Sequence, residues 1–155
     1  METAKFAETV RLAMVAELEE LRDEVRTLAD GLSEAQLWKR PLAQSNSVGH
    51  LILHLTGNLN HFVGAQLGKT GYVREREKEF TDASPPPRAQ VMENLNAAVA
   101  MFRRVVGGLT EAQLMATHPT EKFGNVTKTL LHLLSHFALH RGQMSYIARL
   151  VNGTP

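Results

Sequence analysis

Cysteine is absent from the chain, which excludes disulfides, thiolate metal sites and a cysteine nucleophile together. Its absence suits a reducing compartment. Long hydrophobic runs are missing as well: the apolar stretches span only a few residues, whereas a membrane-crossing helix needs about 20. The opening Met1-Glu2-Thr3-Ala4-Lys5, followed by Glu17, Glu19 and Glu20, does not read as a signal peptide. Nor is there an excess of one charge. Seventeen basic and 16 acidic residues leave a formal net charge of +1, and Arg74-Glu75-Arg76-Glu77-Lys78-Glu79 nearly cancels itself. No basic tract is available to neutralise a nucleic-acid backbone. The expectation is a soluble cytoplasmic protein with neither nucleic acid nor membrane as its partner. Its 155 residues suit one domain, 1–155, with a core that needs no disulfide. Familiar catalytic signatures are lacking too: no His-Glu-x-x-His, no phosphate-cradling glycine loop, and no strained nucleophile turn around Ser135 or Ser145.

What is present is helical periodicity. Phe6, Val10, Met14, Leu18, Leu21, Val25 and Leu28 recur at steps of three and four, predicting an amphipathic helix over 4–29. Gly31 is available as its left-handed cap. Ser33 and Gln36 have capping-box spacing, and Asn46 or Ser47 can cap a second helix over 48–66. Gly57 and Gly64 interrupt that helix, either letting a neighbour approach or as tolerated flaws. Residues 69–84 form a polar connection long enough to travel the length of a bundle. Within it, Arg74 and Arg76 could face an acidic ligand, with solvation or pairing to Glu75, Glu77 or Glu79 the plainer reading. Ser84-Pro85-Pro86-Pro87 opens a third helix over 87–106, and Asn125 can cap a fourth over 126–151. Gly31-Leu32-Ser33-Glu34-Ala35-Gln36-Leu37 matches Gly108-Leu109-Thr110-Glu111-Ala112-Gln113-Leu114, and Val48–His54 matches Val126–His132. Two helix–short helix–helix halves follow, giving an all-α, pseudo-symmetric four-helix bundle.

Chemistry concentrates in the histidines. His132, His136 and His140 follow one another at four-residue steps, and His50 and His54 repeat that spacing in the other half. Residues four apart on a helix share a face, so two imidazoles so placed can reach one ion, which needs donors converging at about 2.0–2.2 Å. His136 with His140 is one such pair, and His54, from the other half, is the natural third ligand. His132 with His136 and His50 with His54 remain alternatives. A buried polar network is the competing reading and would need a partner for every ring. Gln143 returns near the His140 line and could orient its ring or a water. Gly142 could clear space for a neighbouring helix. Arg141 is read first as a packing or surface-pairing residue.

The runs Asn46-Ser47-Val48-Gly49-His50-Leu51-Ile52-Leu53-His54-Leu55-Thr56-Gly57-Asn58-Leu59 and His136-Phe137-Ala138-Leu139-His140-Arg141-Gly142-Gln143-Met144 resemble the DinB/YfiT-like superfamily of small metalloenzymes. Together with Gly71–Arg76 and Glu79-Phe80, they are most similar to its DUF1572 group. The resemblance implies a bundle of up-down-down-up order, often a homodimer. It implies metal ligands at His54, His136 and His140, with nickel or zinc as the usual ion. It leaves His50 and His132 as neighbours or core residues, and Leu139 stands where the family commonly has a further histidine. The activity it implies is transfer of a low-molecular-weight thiol to an electrophile. Metal-dependent hydrolysis is the close alternative, and a non-catalytic metal- or ligand-binding stress-response protein is the other.

Overall fold

A computed structural model describes residues 2–153. Four long helices dominate: α1 (Glu2–Asp30), α3 (Val48–Leu59), α5 (Arg88–Gly107) and α7 (Val126–Asn152). Short helices α2 (Glu34–Trp38), α4 (Lys78–Thr81) and α6 (Glu111–Met115) lie in the connections, with a 3₁₀ turn at Glu121–Phe123. Among the described residues, no helix is long and apolar enough to cross a membrane.

Local chemistry sets most of the boundaries. Ser33 and Thr110 each close a reciprocal capping box, with Gln36 and Gln113 respectively. The matching pieces of the two halves thus build the same device. Ser47 and Asn125 accept backbone N–H bonds at the starts of α3 and α7. Gly31 does not adopt the left-handed cap expected of it; the left-handed glycine at a helix end is Gly153, at φ 69°. Residues 154 and 155, beyond the fourth helix expected over 126–151, lie outside the described residues. α3 runs directly into a π turn, Asn60–Ala65. The buried face of α1 carries Ala7, Met14, Leu18, Leu21 and Val25, while Phe6, assigned to that stripe from the sequence, is exposed.

Contacts between helices fix their directions. Along α1 and α5, Glu19 meets Arg103 at 3.1 Å, Arg22 meets Asn96 at 3.1 Å and the Ala29 carbonyl meets Arg88 at 3.2 Å. One residue number rises as the other falls, so these helices are antiparallel. Val10 and Met14 share a groove with Thr127 and Leu131, and Glu24 pairs with Arg141 at 2.8 Å, so α1 and α7 run parallel. Gly64 faces Met101 and Gly68 faces Val105, which makes α3 and α5 parallel. The order is up-down-down-up. The long connection between α3 and α5 must therefore travel back along the bundle, as its length suggested, and it passes over the histidines as it does so.

The core is shared by all four long helices. Leu18 and Val25 of α1, Leu51, Ile52 and Leu55 of α3, Leu95 and Phe102 of α5, and Leu130 and Phe137 of α7 are all at most 1% exposed. Burial of such side chains stabilises by about 1.5–3 kcal/mol each. His54 is on the same strongly apolar helix as Leu51 and Leu55 and is buried with them.

Candidate metal centre

Three of the seven histidines converge where α3 crosses α7. The Nε2 atoms of His136 and His140 are 3.0 Å apart, and those of His54 and His136 are 3.3 Å apart. The ring centroids of His54 and His140 are 5.0 Å apart, closing the triangle. The spacing i, i+4 on α7 brings His136 and His140 together, and His54 meets them because α3 and α7 are antiparallel. Donors at about 2.0–2.1 Å from a tetrahedral ion stand about 3.3–3.4 Å from each other. The observed separations are close to those edges, so the triad can hold a metal ion.

The outer nitrogens are also engaged. His54 Nδ1 donates to Glu79 Oε2 at 2.9 Å, and His140 Nδ1 donates to Gln143 Oε1 at 2.7 Å. A proton on Nδ1 leaves Nε2 with its lone pair, and both lone pairs face the centre. Carboxylate or amide partners of this kind fix the tautomer and orientation of metal-binding imidazoles. Without an ion the site is still self-consistent: Asn58 Nδ2 can donate to His54 Nε2 at 3.1 Å, and a proton on His136 Nε2 can serve His140. The triad is thus pre-formed by the fold.

Glu79 comes from α4, in the long connection, and sequence reading passed over it as one member of a self-cancelling charge run. It is buried, and Arg74 grips it through Nε at 2.6 Å and Nη2 at 2.8 Å. Arg74 also donates to Asn58 Oδ1 at 3.3 Å, which turns the Asn58 amide N–H₂ toward His54. The pairing expected for Arg74 therefore exists, but it is part of the site. Burial alone would raise the Glu79 pKa; the hydrogen bonds from Arg74 and His54 outweigh it and hold the carboxyl below its ordinary range. The signal available in the sequence was Gly57. A Cβ there would stand 2.1 Å from Glu79 Oε1, so that glycine leaves the space the carboxylate occupies.

Burial, with neighbouring His140 and His54, lowers the His136 pKa to about 4. Burial also lowers that of His140, against the Gln143 bond, which works the other way. The His136 ring therefore stays neutral, the form that binds metal, at mildly acidic pH.

The remaining histidines have other partners. His50 is held by Ser47 Oγ at 2.6 Å, with Arg40 on its far nitrogen at 3.4 Å. His132 is exposed and stacks on Phe123, with centroids 4.9 Å apart. It is the counterpart of His54 in the repeat, yet it lies outside the triad. His118 is fully buried, donating to the Phe62 carbonyl and accepting from the Thr120 N–H, both at 3.0 Å. Gly142 opens onto space rather than a helix, since a Cβ there would meet nothing within 4 Å. A cavity of about 400 Å³ opens on His54 and His136, with Asn58, Phe62, Arg74 and Phe123 among its walls.

No curated protein sequence matches the chain. The crystal structure of a conserved protein from Enterococcus faecalis has the same fold, at a TM-score of 0.77 over 92% of this chain and 97% of that one, with 16% sequence identity. The mycothiol-S-transferase family matches residues 13–153. With nearly its whole length matched, and with a DinB-like helical bundle to carry the site, the chain belongs to the mycothiol-S-transferase family.

Proposed function

We propose that this protein is a divalent-metal-dependent enzyme that transfers a low-molecular-weight thiol to an electrophile, with His54, His136 and His140 as the metal ligands. One observation carries the reading: three Nε2 atoms converge, two of their rings, His54 and His136, line an open cavity, and Glu79 and Gln143 hold the outer nitrogens of His54 and His140. Family membership supports the thiol. Nickel or zinc suits a set of neutral imidazoles. A bound ion would supply Lewis acidity there, favouring the thiolate form of a thiol in contact with it.

The chain's own groups prepare that chemistry. Glu79 keeps the His54 proton on Nδ1, and Arg74 keeps Glu79 ionised and in place. Phe80 packs on His54, with centroids 5.1 Å apart, and screens that flank from water. Asn58 presents its amide beside His54 Nε2 at the cavity wall, where it can donate to a bound substrate. Hydrolysis would use the same ligands, and the openness of the cavity favours either reaction over a closed structural or storage site. A homodimer would draw on Leu139 and Tyr146, exposed at 59% and 65% on α7.

Elemental analysis of untagged protein, beside His54→Ala and His136→Ala, tests the reading. The expected result is about one divalent ion per chain, lost in both variants. Thiol-transfer and hydrolysis assays on the loaded protein then separate the two reactions. Protein that carries no metal and takes up neither zinc nor nickel tightly would overturn the proposal.

A further inference from the structure

Arg40 stands in the connection between α2 and α3, outside the triad and its cavity, and the proposed chemistry makes no use of it. Its guanidinium has no acidic partner among the described residues. It is engaged instead by two backbone carbonyls: Nη1 donates to Ser45 at 2.7 Å, and Nη2 donates to Phe80 at 2.6 Å. Nη2 also faces His50 Nε2 at 3.4 Å. A guanidinium can only donate, so that nitrogen carries the lone pair. The His50 proton is then on Nδ1, where it donates to Ser47 Oγ at 2.6 Å. The two histidines of α3 thus divide the work: His54 faces the triad, and His50, one turn earlier, supports the arginine.

The bond to Phe80 joins two connections 40 residues apart. Phe80 belongs to α4, whose four residues are too few to hold a helix by themselves. Within its own connection, Arg74 binds Glu79. From outside that connection, two hydrogen bonds reach α4 among the described residues: that of His54 to Glu79 and that of Arg40 to Phe80. The first belongs to the triad, and the second is independent of it. Glu79 and Phe80 are adjacent, and both rest on His54, one at its Nδ1 and the other against its ring. Holding the Phe80 carbonyl therefore holds the origin of the Glu79 side chain. A charged fork that grips two carbonyls at once is well suited to this.

We propose that Arg40 is a positioning residue of the metal centre: by clamping the Phe80 carbonyl to the loop ahead of α3, it keeps Glu79 on His54 Nδ1 and Phe80 against the His54 ring. This rests on the reading of His54, His136 and His140 as metal ligands, and the test keeps the two separable.

Untagged full-length protein is titrated with zinc against a chelator of known affinity, as the unaltered chain and as Arg40→Met, which keeps much of the side chain's apolar stem. Thr110→Ala, which removes the cap of α6 far from the histidines, serves as a comparator that lowers Tm alone. Arg40→Met should lose about tenfold in zinc affinity, and Thr110→Ala should lose none. Introduced into Glu79→Ala, Arg40→Met should cost less than about twofold more, because it acts through the carboxylate already removed. In metal-free protein, the NMR resonance of the His54 Nδ1 proton should shift and exchange faster in Arg40→Met and stay in place in Thr110→Ala. Arg40→Lys, which can reach one carbonyl rather than both, should change affinity and resonance in the same direction and serves if Arg40→Met does not fold. Unchanged affinity, an unmoved resonance, or full additivity with Glu79→Ala would overturn the positioning role while leaving the metal site intact. Failure of the unaltered protein to take up zinc or nickel would instead overturn the metal reading, and the metal-free resonance would still decide whether Arg40 holds Glu79 on His54.

Discussion

Glu79 carries two loads. It accepts the His54 Nδ1 proton and it neutralises Arg74, both from a position only 8% exposed. Glu79→Gln keeps the shape and an acceptor for His54 but removes the charge. Metal affinity should fall about 10–100-fold, as it does when outer partners of ligating imidazoles are altered. Competition against a chelator of known affinity measures this directly, and unchanged affinity would remove Glu79 as an orienting group. The triad was legible in the sequence because four-residue spacing is a local property of a helix. Glu79 was not, because its partner His54 lies 25 residues away across a polar connection that has no periodicity to read. His132 shows the converse limit. Its spacing equals that of the ligands, yet one turn earlier on α7 it faces solvent and an aromatic neighbour rather than α3.

At the scale of the elements, the site depends on a helix with a glycine in its interior. Gly57 is three residues beyond His54, on the same side of α3, and the Glu79 carboxylate fills the space where a side chain would be. An alanine there improves helix propensity by about 1 kcal/mol, but it must push α4 away from His54. Gly57→Ala should therefore retain helical content by circular dichroism and still lose metal affinity, in company with Glu79→Gln. Retained affinity would mean that the connection can yield without releasing His54. A different contribution comes from Ser47, whose hydroxyl both caps α3 and binds the His50 ring. Ser47→Ala should lower stability by about 1 kcal/mol, seen as a lower Tm, with metal content unchanged. Helix starts of this kind were readable in advance, since the cap and the first turn are neighbours in the chain. The π turn after Leu59 and the precise path of the connection were not, because tertiary contacts decide them.

For the molecule as a whole, acid should be the weak side. Ordinary histidines protonate near pH 6.5, but in the folded chain burial depresses His136 to about 4 and lowers His140, His50 and His61 as well. Between those limits the unfolded chain binds more protons than the folded one, so stability rises with pH across the window and is lost on descending it. Glu79 adds in the same direction. Its carboxyl is held below the ordinary range, so its contribution is present above the unfolded value and disappears as pH falls through the lower, folded one. Metal-free protein should therefore show a Tm that declines steadily from neutral pH to about pH 4. His136→Asn, which cannot titrate, should flatten that decline. A bound ion steepens it, because protons compete for its ligands and the ion's contribution to folding leaves with it. Thermal melts with chelator and with saturating zinc, for both proteins across that range, provide the comparison. A metal-free protein more stable in acid than at neutrality would contradict the burial of the triad, since exposed imidazoles would titrate alike in both states and leave no such slope.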